Sequence, residues 1–103
     1  MPKSEKKISK FENMWIFAMF DLPVTDKKKR NDYTRFRKYL LSEGFTMLQY
    51  SVYAKFCYSR ESGTIMHNHI KAVIPPEGQV RIIMITDKQF EEMAVFYGKC
   101  EKT

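Results

Sequence analysis

The sequence predicts a single domain of the α+β class, with two amphipathic helices on one side of an antiparallel sheet. Its length of 103 residues suits one domain. Its 44% hydrophobic and 29% charged residues are typical of a globular chain with one core. Apolar strand-like runs alternate along the chain with two segments of helical periodicity. No apolar run approaches the roughly 18 residues that a membrane-spanning helix needs, so we expect no membrane association.

A polar segment precedes the first strand. Residues 1–12 are rich in lysine, and we expect them to form a flexible basic tail ahead of a domain that covers residues 13–103. The segment Met14–Phe20 is continuously apolar and is bounded by Asp21 and Pro23. A run of this length between such boundaries predicts a strand that is covered on both faces.

The segment Asp26–Glu43 is predicted to form the first helix, with Thr25 or Asp26 as the N-cap and Gly44 just beyond the last turn. One stripe at helical spacing is apolar: Tyr33, Phe36 and Leu40. Basic residues point away from this stripe or flank it: Lys28, Arg30, Arg35, Arg37 and Lys38. The helix is therefore predicted to have an apolar face and a basic face.

The remaining elements alternate in the same way. Two strands, Phe45–Gln49 and Ser51–Tyr58, are joined by a tight turn near Tyr50, or form one bent strand. A second helix is predicted over Ser62–Ile74, because Met66, Ile70 and Val73 share one face and Pro75 and Pro76 follow. The remaining predictions are a strand over Val80–Ile85, a turn or short helix from Thr86, and a short last strand over Met93–Tyr97.

The order βαββαβ with an extra short C-terminal strand predicts the ferredoxin-like plan. In this plan both helices lie on one face of the sheet. Because Met14–Phe20 and Val80–Ile85 are apolar on both faces, the second face must also be covered. A second copy of the chain is the simplest cover. We therefore expect a homodimer, in which the terminal strand is a candidate for exchange between subunits.

The charge is distributed unevenly. The net charge is +6, and residues 1–60 hold 13 basic and 6 acidic residues whereas residues 61–103 hold 5 and 6. The first half therefore carries any field that attracts a polyanion, although a basic solvated surface is the alternative explanation. The two cysteines, Cys57 and Cys100, form no CxxC pair. This usage favours a reducing compartment, and we expect a cytoplasmic protein.

Asp21 is the candidate catalytic and metal-binding residue, because it places one carboxylate at the end of the apolar first strand. We expect this carboxylate to be partly shielded from water. A capping or turn aspartate is the structural alternative. In the predicted topology its neighbours are Tyr50 and Ser51, at the start of the third strand, and Gln79, at the start of the fourth, whereas Asp87 lies at the far end of the fourth strand, about 20 Å away.

A divalent cation is the cofactor that this carboxylate suggests. Mg²⁺ is held by one or two carboxylates together with waters and phosphate oxygens. A two-fold axis near Asp21 would supply a second carboxylate from the partner subunit. Such a site, with Mg²⁺ or Mn²⁺, would activate a water and stabilise charge on a scissile phosphate.

Four stretches together resemble the family of small CRISPR-associated adaptation proteins, number two in the standard nomenclature, and most closely its members from type II systems. They are the strand ending in Phe20-Asp21-Leu22-Pro23, the basic helix, the segment from Gly44 to Tyr53, and the later strand with Arg81-Ile82 followed by Thr86-Asp87-Lys88-Gln89-Phe90. The resemblance implies a ferredoxin-like homodimer that binds duplex DNA and bridges integrase dimers during spacer acquisition. It also implies a metal-dependent endonuclease activity on RNA or double-stranded DNA, with the family's metal-binding aspartate at Asp21 and its basic helix residues at Arg30, Arg35 and Arg37.

Two other functions are compatible with the same fold. One is a ribonuclease toxin, which the neighbouring genes would distinguish. The other is a non-catalytic RNA-binding module, whose third strand requires a pattern of glycine and aromatic residues. The stretch from Ser51 to Phe56 contains no glycine, which disfavours this second alternative.

Overall fold

The computed structural model describes residues 12–98. All of the predicted basic tail except Glu12 lies outside the described residues, as do residues 99–103. The elements are β1 (Met14–Asp21), α1 (Lys27–Ser42), β2 (Thr46–Gln49), β3 (Val52–Cys57), α2 (Arg60–Lys71), β4 (Gln79–Thr86) and α3 (Asp87–Glu91). The four strands form one antiparallel sheet in the order β2-β3-β1-β4. This order confirms the predicted ferredoxin-like topology.

The ends of α1 follow from local chemistry. The Asp26 carboxylate accepts a hydrogen bond from the backbone N–H of Lys29 at 2.9 Å, which satisfies one donor that the first turn leaves free. At the other end Gly44 adopts φ +96°, a left-handed conformation that stops the helix. Both predicted boundaries are confirmed, and Asp26 rather than Thr25 is the N-cap.

The helix α2 begins two residues earlier and ends three residues earlier than predicted. The side chains of Ser59 and Ser62 each bond to the other residue's backbone N–H, and this capping box starts the helix at Arg60. Val73, predicted on the apolar face, lies beyond the helix and is 42% exposed.

The core lies between the sheet and the helices α1 and α2. Alternate residues of β1 point into it, as the period of two in a strand requires. It is an apolar cluster of buried side chains that includes Met14, Ile16, Ala18 and Phe20 from β1, Phe36 and Leu40 from α1, and Met66 and Ile70 from α2. The ring of Phe20 meets Phe36 edge-on at 5.2 Å and Tyr53 in a stacked arrangement at 5.5 Å. These contacts pack the carboxyl end of β1 against α1 and the neighbouring strand β3.

The other face of the sheet is here called the open face. In the central strand β1 and the edge strand β4 it is formed by the residues that alternate with those of the core. They are Trp15, Phe17, Met19 and Asp21 of β1, paired in register with Ile85, Ile83, Arg81 and Gln79 of β4. Part of this face is covered within the chain. Phe90 of α3 stacks on Trp15 with ring centres 3.9 Å apart, and the Trp15 indole N–H donates to the Asp87 carboxylate at 2.7 Å.

The sequence did not predict this internal cover, and α3 removes the need for a second copy at the Trp15 end of the open face. The cover is incomplete elsewhere, because Ile83, opposite Phe17 in the middle of the face, is 50% exposed and Arg81, nearer Asp21, is exposed. An exposed apolar surface beside charged groups is the kind of surface that a protein partner covers.

The short last strand predicted over Met93–Tyr97 is wrong for this chain. Residues 93–98 form no strand, and Val95, Phe96 and Tyr97 are 62%, 90% and 86% exposed. A strand needs a hydrogen-bonding neighbour, and within residues 12–98 this segment is not part of the sheet. None of the helices in the described part of the chain is long and apolar enough to cross a membrane.

Candidate active site at the end of the first strand

Asp21 is the last residue of β1 and lies on the open face, opposite Gln79 of β4. Its neighbours along the strand are firmly placed, since Phe20 is buried in the aromatic cluster and Leu22 is also buried. The side chain itself is exposed, so the expectation of a partly dry carboxylate is wrong for the single chain. The reason is that α1 and α2 cover only the opposite face of the sheet at this end.

Asp21 lines an open hollow of about 210 Å³ together with Met19, Phe20, Gln79 and Arg81. The guanidinium of Arg81 donates to the side-chain oxygen of Gln79 at 3.1 Å. The hollow therefore brings one carboxylate and one guanidinium to the same open surface. This combination can hold a phosphate group beside an acidic ligand.

Arg81 is a residue of the hollow that the sequence analysis did not assign to the site, although a signal for it exists. In antiparallel β1 and β4, Met19 pairs with Arg81 and Asp21 with Gln79, so residues 79 and 81 share the face of Asp21. In the sequence these are the two polar residues at alternate positions in the first half of a strand that is apolar from Ile82 to Ile85. Combining this alternation with the strand order identifies Gln79 and Arg81 as residues that share the face of Asp21.

The turn between β2 and β3 lies at the carboxyl end of β1, as predicted. The backbone N–H of Phe20 donates to the carbonyl of Ser51 at 3.1 Å, and Ser51 adopts φ +63° to make the turn. Neither Tyr50 nor Ser51 lines the Asp21 hollow, however. Tyr50 is 80% exposed, and its interaction with the neighbouring Tyr33 of α1 raises the pKa of its hydroxyl. The Tyr50 side chain therefore lies near α1 and outside the Asp21 hollow.

The hollow supplies only part of the ligand set that a divalent cation needs. Asp21 is its single carboxylate, and among residues 12–98 no group of three or more His, Cys, Asp or Glu side chains could hold a metal. Mg²⁺ is commonly bound through one or two carboxylates and completed by waters and phosphate oxygens, which fits a single exposed aspartate. Asp87 cannot contribute, because its backbone bonds to Asn13 at the opposite end of the sheet.

The basic residues of α1 lie on the other side of the sheet from Asp21. Lys28 and Arg35 have side chains 77% and 76% exposed, and both pair with Asp32, at 3.3 Å and 3.1 Å. Surface ion pairs of this kind contribute about 0–1 kcal/mol, so Asp32 holds these two cations only weakly. The structure therefore does not bring them together with Asp21 in one site.

The other three basic residues divide between the outer face and the flank of α1. Lys38 is exposed, whereas Arg37 is half-buried on the flank. Arg30 donates to the backbone carbonyl of Val24 at 3.3 Å. Lys28, Arg35 and Lys38 thus form an extended basic surface on the outer side of the helix, and Arg30 and Arg37 lie on its flank. This shape suits contact with a phosphate backbone.

Comparison with known proteins identifies the family. The family profile described as "CRISPR associated protein Cas2" matches residues 14–93, which include β1, the Asp21 hollow and all four strands. The chain belongs to the Cas2 family. This finding confirms the resemblance inferred from the sequence.

Two named relatives are similar over most of the Cas2-family chain. A protein of Parvibaculum lavamentivorans is 50% identical over 86 residues, which cover 84% of this chain and 85% of the relative. A protein of Flavobacterium psychrophilum is 41% identical over 93 residues, covering 90% of this chain and 81% of the relative. Both are named CRISPR-associated endoribonuclease Cas2.

A solved structure described as the crystal structure of cas2 supports the fold of the Cas2-family chain. Its TM-score is 0.56 at 20% sequence identity, and the match covers 88% of this chain and 95% of that chain. At this level of identity the likeness concerns the arrangement of helices and strands.

Proposed function

We propose that this Cas2-family chain is a homodimeric metal-dependent endonuclease whose site is formed by Asp21 of both subunits. The observation that carries the proposal is the position of Asp21: an exposed carboxylate at the end of a buried strand, in an open hollow that also contains a guanidinium. Phosphodiester bonds of RNA are the first substrate to test, because the relatives are named endoribonucleases, and duplex DNA is the second.

The dimer rests on two apolar surfaces that are uncovered in the single chain. Ile83 is 50% exposed on the open face, and the segment from Met93 to Tyr97 is exposed along its whole length. The outer edge of β4 also has no strand beside it among the described residues. A second chain that adds its terminal segment to this edge would cover both surfaces. The same contact would bring two copies of Asp21 towards one axis.

The residues of the chain have separate tasks in this function. Asp21 would hold Mg²⁺ or Mn²⁺, which when bound supplies water activation and charge stabilisation at a phosphate. The carbonyl of Ser51 holds the N–H of Phe20, and β4 holds the backbone of Asp21 in register with Gln79. These bonds fix the backbone position from which the Asp21 carboxylate projects on the open face.

A second role, binding duplex DNA and bridging integrase dimers during spacer acquisition in the cytoplasm, is supported by the basic surface of α1. Lys28, Arg35 and Lys38 are exposed on a face that is not part of the core. Contacts to phosphates carry no sequence information, and a subunit that handles many foreign sequences needs such contacts. This role and the nuclease role use opposite sides of the sheet.

Cleavage and binding measured on the same samples test both roles. Purified wild-type protein and Asp21→Asn are incubated with labelled RNA and labelled duplex DNA, with Mg²⁺, with Mn²⁺ and with a chelator. We expect cleavage that requires the metal and is lost in Asp21→Asn, together with unchanged duplex binding in both proteins. Equal cleavage by both proteins would contradict the assignment of Asp21. If the wild-type protein bound DNA but cleaved neither substrate, DNA binding would be the only one of the two roles that remained supported.

A further inference from the structure

We propose that Arg81 is the phosphate-binding residue of the Asp21 hollow. This inference rests on the proposed function and deepens it by naming the group that recognises the substrate. Arg81 is an exposed residue on the open face, and it lines the same hollow as Asp21. Its register partner is Met19, two residues from Asp21 on the neighbouring strand, so the two side chains are diagonal neighbours on one face.

Arg81 is oriented by its own strand. The side-chain oxygen of Gln79 accepts one of its N–H groups at 3.1 Å, and Gln79 stands opposite Asp21. A guanidinium has five donors, so this single bond leaves others free for a phosphate. No carboxylate of the described residues is paired with Arg81, in contrast with Lys28 and Arg35, which both pair with Asp32. Its charge is therefore not neutralised by a partner in this part of the chain.

The chemistry of the pair defines what is bound. A guanidinium presents a planar fork that matches two oxygens of a phosphate, while a carboxylate beside it repels that phosphate unless a cation intervenes. Arg81 thus supplies the attraction that Asp21 alone lacks. Because a phosphate is the same in RNA and DNA, Arg81 recognises the phosphodiester without reading the base or the sugar. Gln79 is a positioning residue that holds the guanidinium in place.

Binding measurements separate this inference from the cleavage activity. All proteins carry Asp21→Asn, so that no cleavage disturbs the titration, and the probe is a fluorescein-labelled 20-nucleotide RNA followed by anisotropy at several salt concentrations. Arg81→Gln is compared with Lys71→Gln, which removes the same charge from an exposed position on α2. Arg81→Lys keeps the charge and removes the fork, and Gln79→Ala removes the orienting acceptor.

We expect Arg81→Gln to raise the Kd about 10-fold, because it removes a charge-assisted hydrogen bond. The slope of log K against log salt concentration should become less steep by about 0.7, the value for one phosphate of a single strand. Arg81→Lys should restore the slope and part of the affinity, Gln79→Ala should raise the Kd to a smaller extent, and Lys71→Gln should change neither quantity. In the presence of the native Asp21, Arg81→Gln should raise KM for cleavage by a similar factor.

Two results would overturn the inference. One is an Arg81→Gln protein that binds RNA like Lys71→Gln, and the other is a parent protein that does not bind RNA. Failure of the proposed nuclease function has a different signature, since wild-type protein would then show no metal-dependent cleavage while the dependence of RNA binding on Arg81 persisted. Thermal unfolding of each variant confirms that the exposed substitutions leave the fold intact.

Discussion

Gly78 packs directly against the backbone of Asp21. A Cβ atom at Gly78 would lie 2.7 Å from the Asp21 carbonyl oxygen and 3.0 Å from the Cα of Leu22, and Gly78 adopts φ +97°. Both the space and the backbone angle therefore require glycine at this position. The loop that precedes β4 can approach Asp21 this closely only because Gly78 has no side chain.

The first prediction concerns this packing. Gly78→Ala should lower the free energy of unfolding by about 1–3 kcal/mol, the cost of a left-handed non-glycine residue, and should also reduce cleavage because the backbone of Asp21 must shift. Urea unfolding at a fixed protein concentration measures the first effect. Gly98→Ala is the matched control, since a Cβ there meets nothing within 4 Å. Equal stability of the two variants would show that the loop relaxes without strain.

The second prediction uses the sole tryptophan of the chain as a reporter of α3. Phe90→Ala removes the ring that stacks on Trp15 at 3.9 Å, so Trp15 fluorescence should move to longer wavelength as water reaches the indole. The free energy of unfolding should fall by about 1–2 kcal/mol, because the variant lacks a partly buried pair of stacked rings. Lys88→Ala, an exposed change in the same short helix, should alter neither quantity. An unchanged spectrum in Phe90→Ala would mean that α3 does not cover Trp15 in solution.

The third prediction concerns Cys57, which is 3% exposed at the end of β3. Burial raises the pKa of its thiol above the ordinary value of 9.0, so the folded state keeps the proton to higher pH than the unfolded state. The resulting contribution to stability is complete below that unfolded value and is lost as pH rises through the folded pKa.

Alkylation measures the state of this thiol. In a Cys100→Ser background, iodoacetamide at pH 8 should modify folded protein far more slowly than protein in urea, because burial both blocks the sulfur and keeps it protonated. Comparison with Cys57→Ala over rising pH should show a steeper loss of stability in the protein that retains the thiol. Rapid alkylation of folded protein would contradict the buried position of Cys57.

The fourth prediction tests the basic surface of α1. Arg35→Glu should weaken duplex DNA binding and make the dependence on salt less steep by about 0.9 for each phosphate that the helix no longer neutralises. Lys71→Glu makes the same reversal of charge on α2, outside the proposed surface, and should have the smaller effect. A filter-binding or anisotropy titration at four salt concentrations gives both quantities. Identical curves for the two variants would place the DNA on another surface.

The sequence predicted the elements that local patterns determine. The cap at Asp26 and the stop at Gly44 are recoverable from residue types and spacing alone, and the strand order follows once the order of elements indicates the ferredoxin-like plan. The predicted boundaries of α2 were less accurate, because the helix is started by a capping box of two serines, Ser59 and Ser62, rather than by the more familiar pairing of serine with glutamate.

The features that the sequence missed depend on contacts between distant residues. Phe90 covers Trp15 from 75 positions away, and no periodicity within either segment signals that contact. The exposure of Asp21 depends on which face the helices cover, and Arg81 joins it only through the register of two strands. The segment from Met93 to Tyr97 has the composition of a strand, but composition does not provide the neighbouring strand that would hold it in a sheet.

Metal stoichiometry tests most directly the central claim that Asp21 from two subunits holds one cation. Mn²⁺ is titrated into wild-type protein and into Asp21→Asn, and free Mn²⁺ is followed by electron paramagnetic resonance while sedimentation reports the number of chains per particle. We expect one Mn²⁺ bound per two wild-type chains and a large loss of affinity in Asp21→Asn. Equal Mn²⁺ binding by the two proteins, or a wild-type particle that binds one Mn²⁺ as a single chain, would contradict this claim.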